Sequence, residues 1–368
     1  MNKMIVSNLV HRPIRSLISI FAVAIEVTLM LVIVGLMFGM LNDNKDRQSG
    51  IGADAMVRPP GSGIILGATG APLSIKVAGV LDKLPHVKAV APVLLQTSTA
   101  GALETIYGVD LKSWDAMGSP FRYVSGGPYQ GPDDIIVDDF YANQAHKKVG
   151  ETVKVINHDF RISGIVEHGK GGRKFLPLTT LQQLTGAEGK VSIFYVKLDD
   201  PNNYSAFQDE ALKVPGMSQY DIESVKEWLS LITPASFPGF QITINVVMGI
   251  AVCIGFLVIF QSMYTAVMER TREIGILKSL GASKAYIVNV IVRETTLLSI
   301  AGIALGIGIS FLAERILSVK FPTLRIEVGA DHWVWKSAII ALIGAIIGAM
   351  YPAFHAAQKD PIDALAYE

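Results

Sequence analysis

One cysteine, Cys253, occurs in 368 residues, and it lies inside an apolar run. That excludes an intrachain disulfide and a metal cluster built on cysteine, and leaves Cys253 as small apolar filler. Charge is scarce as well: Asp, Glu, Lys and Arg make up 17% of the chain, with 32 acids against 32 bases. A net charge of zero gives no overall pull toward nucleic acid, so the placement of the charges carries the information. Signatures of catalysis are missing too. No H-E-x-x-H and no G-x-S-x-G occurs, which weighs against a membrane enzyme. No G-x-x-x-x-G-K-[ST] phosphate loop occurs either. "GKGGRK" and "GAEGKVS" have the wrong spacing, and neither lies between a strand and a helix.

What the chain has in quantity is apolar sequence: 50% of residues, bunched rather than spread, with a mean hydropathy of +0.41. Four runs, residues 17–41, 242–268, 287–312 and 334–354, meet the roughly 20-residue requirement for crossing a bilayer as a helix. The first follows Lys3, Arg12 and Arg15, as a signal peptide would. Its apolar stretch is too long for one and no small-residue cleavage pattern follows, so it is expected to stay as an anchor. Basic residues set the orientation. "MNKMIVSNLVHRPIRS" holds three bases and no acid, and the loop between the second and third runs adds Arg270, Arg272, Lys278 and Lys284. Both are expected in the cytoplasm, with both termini, giving a multi-pass protein of the inner (cytoplasmic) membrane. Trp333 and Trp335 fit an outer interface; Tyr264, Tyr286 and Tyr351 fit inner ends.

Between the first two runs lies a segment of domain size, residues 42–240. Leu73, Val77, Val80, Leu81 and Leu84 fall at helical spacing, with Pro85 as the stop. "KAVAPVLLQTSTA", "ETIYGVD" and "KVSIFYVKL" read as strands, and "ETVKVINHDFRISGIVE" as a hairpin turning at Asn157-His158-Asp159. "PLTTLQQLTG" and "NYSAFQDEALKV" read as helices, and "SVKE" at Ser224 as a capping box opening another. "HGKGGRK", His168 to Lys174, reads as a solvated loop. The fold class expected is a polytopic α-helical membrane protein of four transmembrane helices, with a large α+β extracytoplasmic domain between the first and second. The domains run 1–41, 42–240 and 241–368.

One stretch is conspicuously charged between two spanning runs: "MERTREIGILKSLGASKAYI", from Met268. Ile274, Ile276, Leu277 and Leu280 give it an apolar strip, with Glu269, Arg270, Arg272, Glu273 and Lys278 around it. Gly281 suits a helix stop and Ser283 an N-cap, so a short amphipathic helix should turn back into the membrane at "GAS". Taken alone, the pattern fits an ordinary charged loop equally well.

Continued to "ERTREIGILKSLGASKAYIVNVIVRETTLLSIAGIALG", the stretch closely resembles the signature of the MacB/FtsX-type ABC transporter permeases. The ending "YPAFHAAQKDPIDALAYE" resembles that family's ending, and the four-helix topology with its inserted domain matches over the whole chain. The resemblance implies that residues 269–284 form the coupling element, docking on a separate ABC ATPase that binds the ATP and Mg, with no cofactor in this chain. It implies a second permease copy, as homodimer or paralogue, and leaves room for a periplasmic adaptor. Two activities follow: export or extraction of a substrate by mechanotransmission, or a non-transporting signalling permease that activates a cell-envelope hydrolase.

Inside the membrane, Gly35/Gly39, Gly302/Gly306 and Gly344/Gly348 each form G-x-x-x-G, which lets helix backbones approach. The resemblance favours Gly35 and Gly39 for the dimer interface, because the family's first two helices usually face the partner; ordinary intrachain packing is the alternative. Glu26 lies about 15 Å past Ser16 along a helix, near mid-membrane. A lone carboxylate there costs about 2.5–3.5 kcal/mol, so it should face protein or a cavity. It reads as a substrate contact or a conformational latch, or as a hydrogen-bond partner of Asn245 or Thr243. Glu294, beside Arg293, reads as half of a structural ion pair.

Overall fold

A computed structural model describes residues 13–60, 73–98, 104–233 and 239–358. Lys3, Arg12 and the end of the family-like C-terminal stretch, residues 359–368, lie outside them. In chain order the elements are α1 (Pro13–Ser49), β1 (Ala55–Arg58), β2 (Leu73–Ser74), α2 (Ala78–Leu81), β3 (Val87–Ser98), β4 (Glu104–Val109), α3 (Leu111–Asp115), β5 (Tyr123–Gly126), β6 (Asp134–Asp138), α4 (Asp139–Gln144), β7 (Thr152–Val155) and β8 (His158–Val166). There follow β9 (Lys174–Pro177), α5 (Leu178–Thr185), β10 (Lys190–Val191), β11 (Ile193–Leu198), α6 (Tyr204–Lys213), β12 (Asp221–Ser224), α7 (Val225–Leu231), α8 (Phe240–Glu269), α9 (Thr271–Ser279), α10 (Lys284–Lys320) and α11 (Trp333–Gln358). They form two units. A helical unit comprises Met1–Gly39, Phe237–Val319 and Leu324–Glu368; an α/β unit comprises Met40–Ser236 and Lys320–Thr323.

In the helical unit, four helices have the length and hydropathy to cross a membrane: Ser16–Ser49, Gln241–Glu269, Lys284–Lys320 and Ala330–Gln358. Lipid gives such helices no hydrophobic reason to associate, so close packing must hold them. Small residues provide it. On α11, Ala341, Ala345, Ala349 and Ala353 are all buried, one per turn of a single face. A Cβ on Gly348 of that helix would come within 2.9 Å of the Phe256 carbonyl oxygen on α8. Gly302 and Gly306 of α10 face α1, where a Cβ would meet the Ile20 carbonyl at 2.8 Å and the Ala24 carbonyl at 2.7 Å. Thr28 on α1 donates to the Gly306 carbonyl across the same contact, at 3.2 Å. Helices α1 and α8 meet along a polar seam: Ser19 pairs with Ser262 at 2.5 Å, and two turns further along each helix Glu26 lies against Gly255.

In the α/β unit, nine strands follow the order β12-β1-β11-β3-β4-β9-β6-β8-β5, and β7 pairs with β8. Pairing is antiparallel except at β4/β9 and β6/β8, which are parallel. Alternation along the strands separates two apolar faces. Ile106, Leu176, Phe194 and Val196 join Ile135, Phe160, Leu181 and Phe207 in one core. Their sequence neighbours Tyr107, Phe175 and Tyr195 turn the other way, into an aromatic cluster with Trp114 and Phe121.

Local chemistry moved three expected features. The hairpin turns on Ile156 and Asn157, both at positive φ (50° and 60°), a geometry that matches the twist of two-residue hairpins, and His158 already pairs in β8. Leu73 lies in a strand, so the helix expected from it begins only at Ala78, after a 3₁₀ turn. Ser224, the last residue of β12, precedes α7 but makes no side-chain cap.

The glycine contacts allow a direct check. Gly306→Ala should lower the stability of the detergent-solubilised protein by about 1–3 kcal/mol, as overpacking does. Gly308→Ala, with nothing within 4 Å of its Cβ, should be neutral or slightly stabilising in the same thermal melt.

Candidate functional site

The charged stretch takes its shape from α8 outward. Helix α8 ends where Arg270 leaves helical geometry (φ −108°, ψ 17°), and Thr271 caps the break, donating to the Val267 and Met268 carbonyls at 3.2 and 2.9 Å. Helix α9 has Glu273 in its first turn and Lys278 in its last, the charge order its dipole favours. It closes with Gly281 at φ +96°, while Gly281 N–H bonds the Lys278 carbonyl and Ala282 N–H the Leu277 carbonyl. This is the paired closure that a left-handed glycine permits. Ser283 then caps α10, its Oγ accepting from the Tyr286 N–H at 3.2 Å.

The short helix has two faces, and they separate the expected docking residues. Thr271 and Gly275 are buried, and Ile274 and Leu277 pack on the core of the helical unit. Lys278 reaches the Ala357 carbonyl at 3.0 Å. Arg270 is drawn inward to Glu294 at 3.1 Å, with side-chain exposures of 12% and 7%. Glu294 thus pairs with Arg270 across the break rather than with its neighbour Arg293. The outward face holds Arg272, Glu273, Ile276, Ser279 and Leu280, the last 80% exposed, and Glu269 and Gly281 flank it in the open. The single apolar strip expected of Ile274, Ile276, Leu277 and Leu280 is therefore two. Residues 274 and 277 serve the protein's own core; 276 and 280, one turn apart, lie on the opposite side. Between α8, α9 and α10 lies a pocket with apolar walls (Val267, Ile287, Ile291) and the Arg270–Glu294 pair at its edge.

Glu26 is 3% exposed, and its Oε1 has no hydrogen-bond partner among the described residues. The carboxylate fits only because Gly255 opposite lacks a side chain. Neither expected partner serves it: Asn245 accepts from Gln241 one turn earlier on its own helix, at 3.1 Å, and Thr243 is exposed. Gly35 and Gly39 also differ from expectation. They pack against the chain's own 325–328 segment, with Glu327 N–H donating to the Gly35 carbonyl at 2.9 Å and the Arg325 carbonyl closing on Gly39. The close approach they permit is used within the chain, the packing given above as the alternative to a dimer interface.

The "HGKGGRK" loop is no solvated loop. Gly171 and Gly172 are buried against Tyr107, and Gly171 N–H donates to the Arg47 carbonyl at 2.7 Å. Arg173 donates to Asp43 near the end of α1, to Asp138 at the end of β6 and to the Thr323 carbonyl, each at 3.0 Å. Five residues on from Asp43, Gln48 donates to the Tyr107 hydroxyl (3.0 Å) and accepts from Tyr195 (2.9 Å) on the aromatic face of the sheet. All these residues belong to the α/β unit. Sequence reading missed the group because its members lie far apart in the chain. Its one sequence signal was a polar run, "NDNKDRQS", that continues α1 without a helix stop.

A family profile described as the MacB-like periplasmic core domain matches residues 16–214, and one described as the FtsX-like permease C-terminal matches residues 245–361. Among similar proteins is the macrolide export ATP-binding/permease protein MacB of Shewanella sp. (strain W3-18-1), 24% identical over 97% of this chain and 59% of that protein. The MacB of Mannheimia succiniciproducens is 26% identical over 100% of this chain and 60% of that protein. The uncharacterized ABC transporter permease YknZ of Bacillus subtilis (strain 168) is 35% identical over 34% of this chain and 31% of its own length. The chain thus spans about 60% of the length of the MacB relatives it matches. The crystal structure of the periplasmic region of MacB from Actinobacillus actinomycetemcomitans aligns at TM-score 0.39 and 19% identity, over 50% of this chain and 94% of that one.

The inward pair at the break is a point of stability. Arg270→Ala should leave Glu294 buried and unpaired at a cost of about 3 kcal/mol or more, read as a lower melting temperature. Arg272→Ala, on the exposed face, should change it by less than about 0.5 kcal/mol.

Proposed function

The chain belongs to the MacB/FtsX-type ABC transporter permease family, and from that premise we propose that it couples a separate ABC ATPase to movement of its α/β domain. By this mechanotransmission it exports or extracts a substrate. It works from the inner (cytoplasmic) membrane, with the α9 end in the cytoplasm and the α/β domain outside, as the basic residues flanking the spans favour. A second permease copy completes the transmembrane assembly, a periplasmic adaptor extends it, and the ATP and Mg sit on the ATPase.

The observation that carries this reading is the outward face of α9. Ile276 and Leu280 are large apolar side chains left exposed beside Arg272 and Glu273, on a helix whose other face is already anchored. An exposed apolar pair ringed by charge is the anatomy of a docking surface, with apolar anchors at its centre and a charged rim. Residues 270, 274, 277 and 278 act in a supporting role, holding that face rigid against the membrane helices. Docking then becomes a push on α8 and α10 rather than a bending of a loose loop.

One double variant tests this. Ile276→Ala with Leu280→Ala should leave the melting temperature near wild type, yet abolish co-purification of the ATPase from native membranes, since anchor truncation typically costs about 2 kcal/mol per residue. Wild-type recovery of the ATPase would reject α9 as the coupling element.

Glu26 is proposed as a conformational latch between α1 and α8. A carboxylate with an unpartnered oxygen in that seam favours any rearrangement that gives it a partner. Glu26→Gln should retain ATPase binding and reduce ATP-coupled transport several-fold. Unchanged transport by this isosteric variant would remove the latch.

A further inference from the structure

The end of α1 within the α/β unit is held by more than packing. Arg173 is the centre of that hold, because its guanidinium reaches three separate pieces of chain: Asp43 on α1, Asp138 on β6 and the carbonyl of Thr323. The fork is fixed from the side by Phe140, whose ring lies 5.6 Å from the guanidinium carbon. A planar guanidinium with five donors suits such a three-way tie; a lysine has neither the reach nor the fixed angles. Asp138 is the most enclosed member, at 1% exposure, and it also caps α4 by accepting from the Tyr141 N–H at 2.7 Å.

We infer that this junction is a proton-sensitive clutch. With Asp138 ionised, Arg173 grips α1 and the sheet together; with Asp138 neutral, the charge-assisted bond weakens and the end of α1 loosens from the domain. The junction lies wholly within the α/β unit. Its use in transport rests on the function proposed above, because a lever made of α1 transmits motion only while its end is gripped.

Burial pushes the Asp138 carboxyl up to about 6, against the opposing pull of Arg173. A carboxylate raised by the fold costs folding stability when ionised, and that cost is relieved as pH falls through about 6. The bond to Arg173 runs the other way, since its charge-assisted form exists only above that pH. Acidification therefore leaves the domain folded while the grip slackens. The surrounding charges are few. Helix α1 presents Asp43 and Arg47, themselves paired at 3.1 Å. Helix α4 presents Asp139, which holds His168 of the loop at 3.0 Å, and His168 stacks on Phe140 at 3.7 Å. Lys174 on β9 is paired with Glu104. Of these, His168 holds Asp139 and stacks on the Phe140 ring that flanks Arg173, so its replacement is the control.

The test uses the full-length permease in lipid nanodiscs, without ATPase, so its outcome does not depend on α9 docking. Amide hydrogen exchange of residues 43–50 is measured at pH 7.5 and pH 5.0 and corrected for the intrinsic pH dependence of exchange. In the wild type the corrected protection should fall about threefold or more on acidification, while β3 and β11 stay protected. Asp138→Asn should abolish the step, His168→Gln should keep it, and Arg173→Lys should show low protection at both pH values. Equal corrected protection of wild-type residues 43–50 at the two pH values overturns the inference without recourse to any variant. A step that disappears with His168→Gln moves the switch to the histidine and overturns the assignment to Asp138.

Discussion

Helix α1 runs unbroken from Pro13 to Ser49, and it has to satisfy two different surroundings along that length. Its first turns supply apolar side chains and small residues to a helical unit in which only close packing holds helices together. Its last turns, from Met40 onward, supply Asp43, Arg47 and Gln48 to an α/β unit built on a sheet. A helix can do both because its backbone hydrogen bonds are internal, so it changes environment without leaving any backbone group unpaired. Each unit accommodates its own part of the helix. Gly302, Gly306 and Gly255 are small where α1 passes close, and Tyr107 and Tyr195 present hydroxyls where its polar end arrives.

The charged segment around α9 illustrates how a small amphipathic element divides its side chains. Helix α9 is too short to be stable by itself. Ile274, Leu277 and the Arg270–Glu294 pair attach it to α8 and α10, and the Gly281 closure and Ser283 cap end it and start the next helix without slack. Ile274 and Leu277 are thereby withdrawn from the surface, and the pair left exposed is Ile276 and Leu280.

Glu26 and Asp138 form an instructive contrast. Both are carboxylates at 3% exposure or less, but Asp138 has an arginine and a helix N-terminus to receive its charge, while one oxygen of Glu26 has nothing among the described residues. The first is a satisfied group poised near a titration; the second is a stored imbalance held in place by the missing side chain of Gly255.

Length, apolar run and basic flank determined the four spanning helices and the inserted domain from sequence alone, because each depends on local composition and on the fixed thickness of a bilayer. The α9 turn was legible for the same reason: Gly281 and Ser283 act on the residues next to them. What tertiary structure decided was every assignment of a face. The three G-x-x-x-G motifs look alike in sequence, yet Gly302 and Gly306 meet α1, Gly348 meets α8, and Gly35 and Gly39 meet the 325–328 segment. Leu277 and Leu280 are equally apolar, but three residues of helix turn them to different sides. Arg173 looked like one base in a glycine-rich loop; its partners at 43, 138 and 323 become neighbours only when the chain has folded. A side chain's chemistry is written at its own position, but its partner is chosen by contacts between residues far apart in the chain, and only the folded packing brings those together.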